Sequence, residues 1–261
     1  MNYNEKNRHE RDRRIAFDAG SHTYLISPAD GSEPFACESV TTIVEDCFEK
    51  FDADYWAARK ATPEKPAEML KAEWAAKGKE ARDLGTLLHD RIERFYLGEL
   101  IEDDAYSDRA FGYFLDFART YRLTPYRSEW RIFSERYRIA GTLDFLAQDG
   151  SDFIIYDWKR SSKLVDGFGR PITDNRWHKC GYGAACRIPD TTYHHYALQV
   201  SIYRYLLECE YGIRVRSGHL GTFHPDHSRY YMIDMPYLRD EVAELLRQRE
   251  SSIPDHADTA P

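Results

Sequence analysis

The stretch AGTLDFLAQDGSDFIIYDWKRS, residues 140–161, narrows the choice of folds more than any other part of this chain. Apolar residues alternate on either side of Gly150-Ser151, a pair that suits a two-residue hairpin loop with glycine first. With that loop as the turn, Asp149 faces Asp152 and, further from the turn, Asp144 faces Asp157. The same register pairs Phe145 with Tyr156, Ala147 with Ile154 and Leu143 with Trp158, so that face is expected to be core. Asp144 and Asp157 then share the opposite face, and Lys159 joins them because strand side chains alternate with period two. A loop of three or five residues would shift the register by one and exchange the faces.

Two carboxylates directly opposite each other, with Cβ atoms about 5 Å apart, repel. A shared proton or a cation must offset that repulsion. Mg²⁺ suits such a site, because it takes one or two carboxylates and keeps water and phosphate as its remaining ligands. A cation there polarises a phosphoryl oxygen and makes water a better nucleophile. Lys159 would orient or deprotonate the attacking water, or stabilise developing negative charge. The bare spacing D-x-K also fits an ordinary surface ion pair, so the chemistry needs support from elsewhere in the chain.

Around this hairpin the sequence reads as helical ends about a strand-rich centre. Residues 1–14, MNYNEKNRHERDRR, read as a flexible polar tail. Residues 15–50 suggest short strands and a turn followed by a helix start, and 52–97 read as helical with breaks near Pro63 and Pro66. Leu84, Leu88, Ile92 and Phe95 recur at helical spacing, with Gly98 as a stop. A helix over about 104–121 precedes strands over about 127–133, 137–148 and 153–159. A Gly-, Pro- and polar-rich segment follows, then a helix over about 195–210, strands over 213–224 and 228–235, and a helix over 237–250. One domain over 15–252 with a polar tail at 253–261 is expected, with a fold of the α/β class: a mixed central β-sheet flanked by helices.

Composition limits the function classes. Hydrophobic content of 42% with 31% charged residues suits a folded, soluble chain. No run of about 18 apolar residues occurs, so no membrane partner is expected. The polar N-terminus lacks the apolar stretch of a secretory signal, which predicts a cytoplasmic location. Five cysteines without a CxxC pair argue against a disulfide framework or a zinc ribbon. The net charge of −8 counts against a broad basic coat for nucleic acid. It does not count against a local one: the segment 160–195 carries Arg160, Lys163, Arg176 and Lys179 among tryptophan, tyrosine and histidine residues. Basic and aromatic residues together suit contact with a nucleic-acid strand, the alternative being a long solvated loop.

Taken in order, GTLD and IIYDWK resemble the paired motif of the PD-(D/E)XK nuclease superfamily. GTLLHDRIE, with His89, resembles the G-x-x-x-H helix of its RecB-like branch, and Gln199 and Tyr203 in YALQVSIYRYLLE match the Q-x-x-x-Y helix. Glu129 sits where that branch often carries an acid on the preceding strand, with Glu135 as a rival. The motifs span residues 85–210 and include a general likeness to phage and mitochondrial exonucleases.

The resemblance implies a PD-(D/E)XK core over about 85–235, and Mg²⁺ or Mn²⁺ held by Asp144, Asp157, His89 and the Trp158 carbonyl. Lys159 would act on water or the transition state, Glu129 through a water or a second metal. Gln199 and Tyr203 would position the site or touch DNA. Some relatives carry an iron–sulfur cluster; the downstream cysteine triplet is missing here, so none is expected. The function implied is hydrolysis of DNA phosphodiester bonds, as an exonuclease in repair, recombination or phage replication. An endonuclease would share every one of these residues, and a catalytically silent DNA-binding module could use the same fold.

Overall fold

The protein is described by a computed structural model covering residues 2–253. The polar tail expected at 253–261 lies outside the described residues apart from Ile253. In chain order the elements are α1 (Tyr3–Lys6), β1 (Ile15–Asp18), β2 (Thr23–Ile26), β3 (Phe35–Ser39), α2 (Val40–Asp46), α3 (Ala53–Lys60) and α4 (Ala67–Leu97). Then come α5 (Arg109–Thr120), β4 (Thr124–Ser134), β5 (Ile139–Asp149), β6 (Asp152–Lys159), α6 (Thr192–Glu210), β7 (Val215–Thr222), β8 (Tyr231–Met235) and α7 (Arg239–Ser252).

Local chemistry sets these boundaries. The long α4 starts after Pro66 and ends at Gly98, whose φ is 71°. That is the left-handed C-cap conformation, which glycine adopts without penalty. The Asp108 carboxylate accepts from Ala110 N and caps α5. That helix buries Phe111, Phe114 and Phe117 at three-residue spacing. The helix expected from residue 104 therefore begins at 109, behind a 3₁₀ turn over Asp103–Ser107.

The eight strands form one mixed sheet in the order β1-β2-β3-β5-β6-β7-β8, with β4 paired to the remaining edge of β5. Helices cover both faces. On one, Leu88 and Ile92 of α4 and the phenylalanines of α5 pack against Phe145, Tyr156, Trp158 and Phe223. On the other, residues of α2, α6 and α7, among them Ile43, Leu198, Ile202 and Leu246, cover Leu143, Leu146, Ile155 and Leu220. The α/β layering expected from the sequence is thus present.

The expected hairpin register holds from Asp149–Asp152 to Phe145–Tyr156, around a turn with Gly150 at φ 64°. There the ladder stops. The Asp144 carboxylate, not a backbone carbonyl, accepts from Trp158 N at 2.8 Å. The expected pairing of Leu143 with Trp158 on one face is accordingly not formed: Leu143 lies in the α6-side core and Trp158 in the α4/α5-side core. The cause is a twist in β4 and β5. Glu129, between the pairs Ser128–Phe145 and Trp130–Leu143, has φ 45°. Leu143 and Trp130 are turned to the α6 side while Phe145 stays on the α4 side. On the same edge of β5, β3 pairs only with Ile139 and Ala140. Residues 141–144 therefore lie in a gap between β3 and β6.

Residues 2–14 are docked, not flexible as expected. Arg127 donates to Asn7 O and Asp12 Oδ2, Trp130 Nε1 donates to Asp12 Oδ1, and Asn7 Nδ2 donates to Tyr126 O. The segment covers the free edge of β4 with side-chain hydrogen bonds, satisfying backbone groups that an edge strand otherwise leaves open. No helix among the described residues is long and apolar enough to cross a membrane.

Gly141 lies in the gap, and a Cβ there would sit 2.8 Å from both Cε1 and the hydroxyl oxygen of Tyr203. Gly141→Ala should destabilise the fold by about 1–3 kcal/mol through overpacking. Chemical denaturation checks this; a change below about 0.5 kcal/mol would mean that Tyr203 is not wedged there.

Candidate metal centre

The gap in the sheet is where the sequence motifs meet. Asp144 closes the end of the β5–β6 ladder and is 8% exposed; Asp157, two residues before the end of β6, is 1% exposed. His89 reaches in from α4, its Nδ1 3.7 Å from both Glu129 Oε1 and Asp144 Oδ2. From the other face, Tyr196 of α6 places its ring 4.8 Å from Lys159 Nζ. Without the gap, a continuous strand pair would separate the α4 side from the α6 side.

His89 Nε2 lies 2.7 Å from the Trp158 carbonyl oxygen. A carbonyl can only accept, so Nε2 carries the proton, and Nδ1 is the nitrogen left to face the carboxylates. A histidine that gives one N–H to a carbonyl and turns its other nitrogen toward acids has the arrangement of a metal ligand held by an outer partner. The Trp158 carbonyl thus orients His89, and it keeps a second lone pair of its own.

His89, Glu129 and Asp144 offer ligand atoms all within 4.8 Å of one another. For metal–oxygen distances of about 2.1 Å, octahedral ligands are about 3.0 Å apart when adjacent and about 4.2 Å apart when opposite. The two 3.7 Å separations around His89 fall between those limits. One imidazole among carboxylates suits Mn²⁺ as well as Mg²⁺. Asp157 adds a second sign of fit: among the described residues its buried Oδ1 has no hydrogen-bond partner, and Oδ2 faces the Lys159 ammonium. Its ion pair there is with Lys159 Nζ at 2.7 Å.

The charges balance locally. Lys159 Nζ is also 3.9 Å from Asp144 Oδ2, so one ammonium serves both aspartates. Burial works to lower its pKa, but Asp157 and Asp144 hold it above the ordinary lysine range, so Lys159 is a cation at neutral pH. Burial raises the Asp157 carboxyl above its usual range, with Lys159 opposing. Burial also works to lower His89, but Asp144 and Glu129 outweigh it and raise the pKa to about 9.

The remaining expected residues divide. Glu129, not Glu135, belongs here: Glu135 is occupied by Arg14. Gln199 and Tyr203 are 9% and 2% exposed, so they stand behind the carboxylates and are not placed to touch a macromolecule. Burial raises the Tyr203 hydroxyl well above its ordinary value, and Asp144 and Asp157 add to the shift.

The four basic residues singled out in the segment 160–195 have different surroundings. Lys179 pairs with Glu49, Arg176 lies over the Trp177 ring, Lys163 is exposed and Arg160 is half-buried. The groove bearing Trp177 and Lys179 is also lined by Glu49, Asp52 and Asp190 and by Phe51, Tyr55 and Trp56. Two contributors were not singled out from sequence. Tyr196 was indistinct within an aromatic-rich segment. Glu93 lies one helical turn beyond His89 and accepts from Ser128 Oγ at 3.2 Å.

No protein family and no curated protein matches the chain. Among solved structures, one described as "Crystal structure of SSO0001" is similar over 84% of this chain and 77% of its own, at 16% identity and a TM-score of 0.35.

A metal held by this group would compete with the His89 proton. In metal-free protein His89 should titrate near pH 9, not at its ordinary 6.5, when followed by NMR. Its folded pKa lies above its unfolded one, so its stabilising contribution is present below pH 6.5 and is lost as pH rises through about 9. Mg²⁺ should lower the midpoint and bind more tightly as pH rises across that window. A midpoint near 6.5 would show that the carboxylates do not face the ring.

Proposed function

We propose that this protein is a metal-dependent deoxyribonuclease of the PD-(D/E)XK superfamily, RecB-like branch, acting as an exonuclease. The observation that carries the reading is the convergence of His89, Glu129 and Asp144 beside the buried Asp157–Lys159 pair, at the open end of one hairpin. A structural ion pair would explain Lys159 and Asp157 alone. It does not explain a histidine oriented by a carbonyl toward two further carboxylates.

His89, Glu129 and Asp144 would hold a divalent cation, with Asp157 and the Trp158 carbonyl at its border. Once bound, that cation would polarise a phosphoryl oxygen and make water more nucleophilic. Lys159, protonated and steered by two carboxylates and the Tyr196 ring, is suited to stabilising charge that develops on the phosphate. While paired as it is, it is not suited to removing a proton. Gln199 and Tyr203 would keep the carboxylates in place. DNA contact is assigned to the segment of residues 160–195, through Arg160, Lys163, Arg176 and the exposed Trp177. Lys179 would join only on release from Glu49.

The test is digestion of end-labelled linear and closed-circular DNA with Mg²⁺ or Mn²⁺. Wild type should degrade the linear form and spare the circle. Lys159→Ala and Asp144→Asn should each be slower by about 100-fold or more. Cutting of the circle would make the enzyme an endonuclease on the same site. Equal activity in all three proteins would remove the hairpin from the chemistry, and tight DNA binding without turnover would leave a binding module.

A further inference from the structure

Ser128 directly precedes Glu129 in β4 and is 4% exposed. Its backbone N–H donates to Asn4 Oδ1 at 2.8 Å. Its hydroxyl accepts from Tyr3 OH at 3.0 Å and Asn4 Nδ2 at 3.1 Å, and donates to Glu93 Oε1 at 3.2 Å. A hydroxyl has one proton to give and two lone pairs, so this one is fully used. The same segment grips the strand on both sides of Glu129. Tyr126 and Arg127 are bonded to Asn7, and Arg127 and Trp130 to Asp12.

Glu129 itself, at φ 45°, is held in a conformation that side-chain-bearing residues rarely adopt. Such backbone persists only where its surroundings over-determine it. Here the twist that carries Glu129 toward His89 is braced on one side by β5 and on the other by residues 3–12. Nothing in the packing of the core needs Asn4, which is half-buried and polar.

We propose that Tyr3 and Asn4 are positioning residues of the metal centre. Through Ser128 they hold Glu129 in its left-handed conformation and keep its carboxylate on the His89–Asp144 group. The inference rests on the metal-centre reading above. The N-terminal segment is then part of the site's construction, and loosening it lets β4 relax and withdraws one ligand.

Mn²⁺ binding to the full chain without DNA, followed by EPR, tests this in a cycle of wild type, Asn4→Ala, Glu129→Ala and the double variant. Asn4→Ala should weaken Mn²⁺ binding about tenfold, the size of effect seen when an outer partner of a metal ligand is lost. In the Glu129→Ala background it should change affinity by less than about twofold, because the residue it acts through is gone. Tyr3→Phe, which removes one hydrogen bond and keeps the ring, should give a smaller loss with the same dependence on Glu129. It carries the test if Asn4→Ala does not fold. Wild-type affinity in Asn4→Ala, or equal loss in both backgrounds, overturns the proposal and leaves the metal centre standing. A wild-type protein that binds no Mn²⁺ overturns both.

Discussion

The parting of β5 from β6 after Phe145–Tyr156 is the constraint on which the site depends. A backbone ladder running on to Leu143–Trp158 would bury the Trp158 N–H against a carbonyl and seal the sheet. The Asp144 carboxylate takes that N–H instead, at 2.8 Å. The exchange leaves the backbone donor satisfied, as a buried N–H requires. It also fixes the carboxylate, and it leaves a gap at which His89 of α4 meets Asp144 and Tyr196 of α6 meets Lys159. The left-handed Glu129 is the matching distortion on β4. Strain of this kind, about 1–3 kcal/mol per residue, collects where function needs it.

Electrostatics makes the opening tenable. Asp144 and Asp157 are buried beside the more open Glu129, and two cations face the three in the metal-free protein: Lys159 and protonated His89. The two differ in what they can give up. Lys159 is held charged by both aspartates and stays so. His89 carries the proton that a metal would have to displace, and its ring is aimed by the Trp158 carbonyl.

Much of this was legible in the sequence, for identifiable reasons. The hairpin and its register followed from period-two alternation and a Gly-first turn, because a one-residue slip would have put Phe145 and Ala147 on the face opposite Tyr156 and Ile154. The face of Leu143 was not legible: alternation assumes a regular strand, and nothing in RSEW announces a left-handed glutamate. Glu129, the acid the sequence favoured, kept Glu135 as a rival until the fold gave Glu135 to Arg14. The N-terminal segment read as a tail because it has no apolar periodicity. It docks through Asn4, Asn7 and Asp12 to the edge of a strand, and hydrophobic pattern does not report such bonds. In the basic segment, composition alone did not show that Lys179 pairs with Glu49 or that Arg176 lies over Trp177, because such pairings depend on the folded loop.

The most direct test of the metal centre is a crystal of the full chain soaked in Mn²⁺ and measured at the manganese absorption edge. The predicted result is an anomalous peak bounded by His89 Nδ1, Glu129 and Asp144, with ligand distances of about 2.1–2.3 Å. A bound Mn²⁺ elsewhere, with His89 still facing two metal-free carboxylates, would contradict it.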